Sequence, residues 1–527
     1  MSKAYDELRT YMDKAMAIKT AMALFEWDNE TLAPREAGEL TSKVIGVLSG
    51  EYFQAVTCEE MKKLLEKCRD DKSLTTAEAA NVRELLEERE QICPIPRNEY
   101  QEFARLTAGA TGVWARAKKD RDFEAFAPTL ERVIGFQKKF AGYRAKDGKK
   151  LYDVMLDDYE KGFSMENLDR FFGVLKKELV PFLKKVMEEG KKVEDSFLKG
   201  DYPEKKQEEL GRFLAEYVGF DFDRGVMAVS AHPFTTNLHN KDVRITTHYT
   251  DCVDSSLFSV IHEAGHAIYE LGIGDDLTLT PVGQGASMGM HESQSRFFEN
   301  IIGRSRSFWV PIYARIQEMF PEQLGKVDLD QFVEAVNKVT PGLIRTEADE
   351  LSYSLHVLIR YEIEKMLIEE DLDVEKLPQL WADKYEEYLG VRPENPAEGV
   401  LQDIHWSQGS FGYFPSYALG SAFGAQLYYH MKEIMDFDGL LREGKVDVIR
   451  DYLREHIHQY GKLKDSRQIL KDVTGEDFKP GGQKAEKVID EVLNEQKIDV
   501  DAISGATNSS KVIKKAIEDA LKQGLIK

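Results

Sequence analysis

A chain of 527 residues can bury a large core, and with 42% hydrophobic and 31% charged residues it reads as folded, which excludes a disordered protein. Its net charge of −22 argues against nucleic acid or an anionic membrane surface as partner, because like charges repel. No apolar stretch approaches the ~20 residues that span a bilayer. Four cysteines, Cys58, Cys68, Cys93 and Cys252, form no Cys-x-x-Cys pair and suit reduced thiols. Met1–Asp6 runs into a polar helix without an apolar signal core, so the expectation is a cytoplasmic, soluble protein.

Most of the chain has helical periodicity, and length alone would divide it into two or more domains. Tyr5 to Trp27 places Leu8, Met12, Met16, Met22 and Leu24 at helical spacing, and Pro34 closes that segment. Residues 39–92 read as two or three Leu- and Glu-rich helices, and Pro94 with Pro96 marks a turn. Helices are predicted over Glu99–Lys118, Phe123–Lys146, Met165–Glu189 and Pro203–Val218. The period then changes to two. In Asp242–Tyr249 the residues Val243, Ile245, Thr247 and Tyr249 fall on one face, and Arg244, Thr246 and His248 on the other. This is a predicted strand, and an edge strand there would suit pairing with an extended peptide.

The next helix, Ser259–Glu270, contains His262-Glu263-x-x-His266, with Asp254 or Ser255 as the expected N-cap. At 3.6 residues per turn both histidines stand on one face, where their imidazoles reach a single tetrahedral metal. Glu263 is then placed to take a proton from metal-bound water. A third ligand is expected from a second helix, Met290–Asn300. Glu292 lies 26 residues beyond His266, which suits a helix-loop-helix supplying two histidines and a glutamate with one position open. Glu299 is the rival ligand, Arg296 an orienting partner one turn from Glu292, and His291 a hydrogen-bonding or packing residue. Two imidazoles and a carboxylate suit zinc, and also accommodate cobalt or manganese. Downstream, His405–Tyr417 is rich in glycine and aromatics, as a substrate-lining loop would be. His405 and one of Tyr413 or Tyr417 are candidate donors to the oxyanion of a tetrahedral intermediate.

Six ordered motifs carry a resemblance. They are His232-Pro233-Phe234, Asp242–Thr246, His262–His266, His291-Glu292-Ser293-Gln294, Ile344–Glu350 and Gln402–Trp406, with Trp27-Asp28, Thr31 and Pro34 ahead of them. Over residues 5 to 480 the chain resembles the carboxypeptidase Taq family of metallocarboxypeptidases. The resemblance implies a mainly α, large helical metallopeptidase domain over 1–480, with a deep groove, a small β-sheet beside the metal-site helix, and a homodimer acting on peptides. It implies His262, His266 and Glu292 as metal ligands and Glu263 as general base. It also implies substrate-binding roles for His232, Arg244, Arg345, His405, Tyr413 and Tyr417, with Arg345 receiving the free C-terminal carboxylate. A guanidinium fork suits that task, since it donates two parallel hydrogen bonds. The competing role for Arg345 is a salt bridge to Glu347, Asp349 or Glu350.

Residues 481–527 depart from that family. Asp499–Thr507, with the run Ser504-Gly505-Ala506-Thr507, followed by a helical Ser510–Gln523, resembles the end of an FMN-binding domain. That resemblance implies FMN carried on Thr507 through a phosphoester, although a stub of this size cannot enclose the flavin ring. The expected activity is metal-dependent release of single C-terminal residues. The alternatives are a flavin-carrying or peptide-binding protein, or an endopeptidase using the same site.

Overall fold

The computed structural model describes residues 2–478, so Thr507 and the rest of the C-terminal extension lie outside the described residues. Helix dominates, as the periodicity predicts. The chain opens with α1 (Lys3–Thr31), α2 (Gly38–Thr57), α3 (Glu59–Arg69) and α4 (Thr76–Ile92). Next come α5 (Arg97–Asp120), α6 (Ala127–Arg144), α7 (Leu151–Leu156), α8 (Met165–Glu189) and α9 (Glu204–Val218). Strands β1 (Gly225–Val229), β2 (Thr235–His239) and β3 (Asp242–Thr247) lead into α10 (Val253–Leu271) and α11 (Met288–Arg296). No helix among the described residues is long and apolar enough to cross a membrane.

Two compact units are each assembled from separated stretches: Met1–Cys93, Asp195–Phe332 and His430–Gly475 in the first, and Pro94–Glu194, Val333–Tyr429 and the stretch from Glu476 in the second. In the first unit the local signals are strong. Thr75 and Glu78 close a capping box on α4, each side chain accepting the other's backbone N–H. Tyr5, Leu8 and Met12 of α1 pack with Met61, Leu64 and Leu65 of α3 and with Val82 and Leu85 of α4. Each such side chain contributes roughly 1.5–3 kcal/mol on burial.

The sheet has the order β1-β3-β2, parallel between β1 and β3 and antiparallel between β2 and β3. β3 is therefore the central strand rather than an edge. Both its hydrogen-bonding sides are taken, and an incoming peptide cannot pair with it. The central position also explains why burial does not alternate along it, Thr246 being as buried as Val243 and Ile245. Helix α10 packs against this sheet, α9 and α11. It is buried on almost every side, which identifies it as the unit's axis. Its N-cap is Cys252, two or three residues earlier than the sequence suggests and without a side-chain cap. Asp254 sits in the first turn, where its carboxylate accepts from Cys252 Sγ at 2.8 Å.

The second unit is built around the helix Glu350–Glu369, also buried along most of its length and capped by Asp349, which accepts from the N–H groups of Leu351 and Ser352. Against it lies α8, whose Leu168, Phe171, Phe172, Leu175, Leu179, Phe182 and Val186 form the buried helical stripe.

Candidate active site

In the first unit α10 and α11 bring three ligand groups together. The rings of His262 and His266 are 4.9 Å apart. Glu292 Oε2 on α11 lies 3.8 Å from His262 Nε2 and 3.6 Å from His266 Nε2. Donors held about 2.1 Å from a tetrahedral zinc stand roughly 3.4 Å apart, so the three atoms fit a divalent ion. Among the described residues they are the one such cluster. Two local devices set this geometry. Ser287 caps α11 by accepting from Met290 N–H. Gly265, inside the His-Glu-x-x-His run, removes the side chain where the helices cross. A Cβ there would stand 2.8 Å from Ser295 Cα and 2.9 Å from the Gln294 carbonyl oxygen. Ser295 then directs its Oγ to Glu292 Oε2 at 3.1 Å.

Each histidine is supported at its other nitrogen. His262 Nδ1 meets Glu299 Oε2 at 2.8 Å, so Glu299, the rival ligand, sits behind the ring and not on its metal-facing side. Burial opposes charge on His262, but the Glu299 hydrogen bond and the neighbouring Glu292 overcome it and raise the imidazole to about 9. Burial likewise opposes ionisation of Glu299, yet His262, Arg296 and Arg304 hold it down to about 2. Arg296 and Arg304 approach Glu299 at 3.6 and 3.5 Å. The chain is π-helical over Phe297–Gly303, which aligns residues five apart and so places Arg304 beside Glu299. His266 Nδ1 meets His291 Nδ1 at 2.6 Å, and His291 Nε2 meets Glu270 Oε1 at 2.8 Å. His291 is thus a hydrogen-bonding histidine, as its helical phase predicts. Burial and the neighbouring imidazoles push His266 well below its ordinary value.

Glu263 is buried beside these groups, and burial raises its carboxyl. Thr235 of β2 donates to its Oε2 at 2.6 Å. Nothing in the sequence signals this contact beyond the position of Thr235 directly after His232-Pro233-Phe234. His232 itself is exposed between β1 and β2, its carbonyl accepting from Ser230 Oγ. Arg244 on β3 makes a two-pronged contact with Asp242, both bonds 2.8 Å, and lies 4.7 Å over the Trp27 ring.

The remaining candidates gather in the second unit. Arg345 Nε and Nη2 both reach Asp403 Oδ1, at 3.1 and 3.0 Å. Its acidic partner here is thus Asp403, a residue distant in sequence. Arg360 donates to the other oxygen of Asp403 at 2.6 Å, so two buried guanidiniums share one carboxylate. His405 Nε2 and Tyr417 Oη are 2.9 Å apart, while Tyr413 stacks on Tyr159. Burial pushes His405 down to about 3, which keeps it neutral, and its buried Nδ1 has no hydrogen-bond partner. Glu364 anchors this loop by accepting from Trp406 Nε1 and the Gly412 N–H.

Comparison with known proteins adds an independent line. The profile of the Carboxypeptidase Taq (M32) metallopeptidase family matches residues 7–481. Carboxypeptidase 1 of Bacillus subtilis (strain 168) is 44% identical over 463 residues, spanning 87% of this chain and 92% of its own. Thermostable carboxypeptidase 1 of Thermus thermophilus is 35% identical over 486 residues, 90% of this chain and 95% of its own. The solved Pyrococcus furiosus carboxypeptidase superposes with a TM-score of 0.87 at 36% identity, covering 90% of this chain and 96% of that one. The profile of the FMN-binding domain matches residues 444–522, overlapping the first match. Within that overlap Val446–His456, His458–Leu463 and Ser466–Thr474 are helical segments of the first unit.

Proposed function

Because the chain belongs to the carboxypeptidase Taq (M32) family of metallopeptidases and is a metallocarboxypeptidase, we propose that it releases single residues from peptide C-termini with Glu263 as general base. The observation that carries this reading is a buried, Thr235-held Glu263 beside three ligand atoms at metal spacing. His262, His266 and Glu292 would hold the divalent ion, zinc on the chemistry of this donor set. When bound, that ion supplies Lewis-acid polarisation of the scissile carbonyl and acidifies the attacking water. Glu263 accepts the proton of that water and returns it to the leaving amine. Burial raises its carboxyl, which favours its holding the proton between the two transfers.

Arg345 is assigned to the peptide's terminal carboxylate. With Arg345 and Arg360 sharing Asp403, one positive charge is left over in that cluster for an incoming anion. Neutral His405, with Tyr417 or Tyr413, is assigned to the oxyanion, and His232 and Arg244 to the peptide itself. Four free cysteines support a cytoplasmic location. The homodimer rests on the family resemblance. Glu263→Gln should retain zinc while lowering turnover about 10²–10⁴-fold, followed by timed mass spectrometry of a peptide ladder. Wild-type cleavage of C-terminally amidated peptides at an equal rate would replace the exopeptidase reading with an endopeptidase one.

A second reading concerns the extension alone. The FMN-binding match reaches beyond residue 481, where the metallopeptidase match ends, and includes Ser504–Thr507. Helical segments of the metallopeptidase occupy 446–474, so the body of a flavin domain has no chain left to form it. Thr507 is accordingly proposed as a flavinylation site on a tail, within a boundary at 480/481, and not as part of a flavin pocket. Intact mass after coexpression with a flavin-transferring enzyme tests it; no FMN-sized increment ends the idea.

A further inference from the structure

His266 must present an Nε2 lone pair to a metal, which requires its one proton to sit on Nδ1. The structure shows what receives that proton. His266 Nδ1 lies 2.6 Å from His291 Nδ1, so a hydrogen bond of this sense needs a lone pair there. A neutral His291 then carries its own proton on Nε2, where Glu270 Oε1 accepts it at 2.8 Å. Both oxygens of Glu270 are acceptors in the structure, Oε1 from Gly285 N–H at 2.9 Å and Oε2 from Asn237 Nδ2. With His291 neutral, the polarity of the row is therefore fixed from the Glu270 end. Reversing it with both rings neutral would turn an imidazole lone pair against the carboxylate and move the proton of His266 onto Nε2, blocking the metal. The row is also tightly enclosed. Glu270 is 3% exposed, and a Cβ on Gly285 would stand 2.7 Å from His291 Cδ2 and 3.3 Å from Glu270 Oε1.

We propose that Glu270, acting through His291, is a positioning residue that sets the tautomer of His266 and so presets one of the three metal ligands. The proposal rests on the metal centre read above. His262 receives the same service directly from Glu299, whereas His266 receives it through an intervening imidazole that can transmit either sense.

That difference supplies the test. A glutamine at 270 can donate as well as accept, so Glu270→Gln releases the polarity of the row with little change in shape. In His291→Asn the asparagine oxygen can accept from His266 Nδ1 without reference to residue 270. Zinc affinity of the full-length protein is measured at one pH by competition with a chromogenic chelator, alongside far-ultraviolet circular dichroism, for the parent, both single variants and the double variant. The expected result is about a 10- to 100-fold loss for Glu270→Gln in the parent, and less than about threefold in the His291→Asn background, as a coupled pair requires. An equal loss in both backgrounds would reduce Glu270 to a structural bracket for Gly285 and Asn237 and overturn the proposal. So would no loss in either, or a Glu270→Gln protein that no longer folds. A parent that binds no zinc would instead overturn the metal centre itself.

Discussion

The two units treat buried charge in opposite ways. The first gathers the carboxylates of Glu263 and Glu292 beside two imidazoles, with Glu299 balanced by Arg296 and Arg304. The second gathers Arg345 and Arg360 around the single carboxylate of Asp403, beside an imidazole that burial holds neutral. One unit has an excess of electron-pair donors and suits a cation; the other has an excess of hydrogen-bond donors and suits an anion. Burial makes each imbalance costly when unmet, which favours a cation beside the first and an anion beside the second. The contrast also says where a lost charge will be felt, as ligand affinity in the first unit and as stability in the second.

Asp403→Asn breaks the contrast most severely, because it leaves two buried guanidiniums without a counter-charge. A loss of about 3–5 kcal/mol is expected in urea unfolding. The same residue fixes a pH dependence. Burial works against its charge, but Arg360 and Arg345 hold the carboxyl far below its usual range. A depressed carboxyl stabilises above its unfolded value and loses that contribution as the pH falls. The wild type should therefore weaken on acidification below about pH 4 more steeply than Asp403→Asn does. Next comes Glu299→Gln, which should weaken zinc about 10- to 100-fold in chelator competition, since His262 loses the anion behind its ring. Ser295→Ala should do least. Its neutral hydroxyl supplies one hydrogen bond to Glu292, worth about 1 kcal/mol or roughly fivefold in the same titration.

What could be read in advance follows the range of the interaction. His262 and His266 share a face because helical geometry dictates it, and Glu292 follows from the next helix. Helix Met165–Glu189 falls where periodicity places it. The supports were less legible, because they depend on which elements pack together. Nothing near Thr235 in sequence shows that it will hold Glu263, and nothing near Arg345 shows that it will meet Asp403. The strand before α10 was legible as a strand, but its central place depends on β1 and β2 flanking it, and period-two alternation carries no such information. Gly265 occupies a position that the motif leaves open to any residue, yet the approach of α11 leaves room for none larger. The N-cap failed for a local reason: Asp254 is a good capping residue that stands two positions inside the helix.

The π-helical turn at Phe297–Gly303 gives this helix an unusual relation to chain length. In an ordinary α-helix Glu299 and Arg304 would project roughly 140° apart, and only the wider ladder stacks one over the other. The π-helical stretch ends the helix, since Arg304 and Ser305 form a turn before a separate short helix begins at Arg306. Removing one residue between Glu299 and Arg304 would therefore separate the two, and take away one of the cations beside the carboxylate that backs His262.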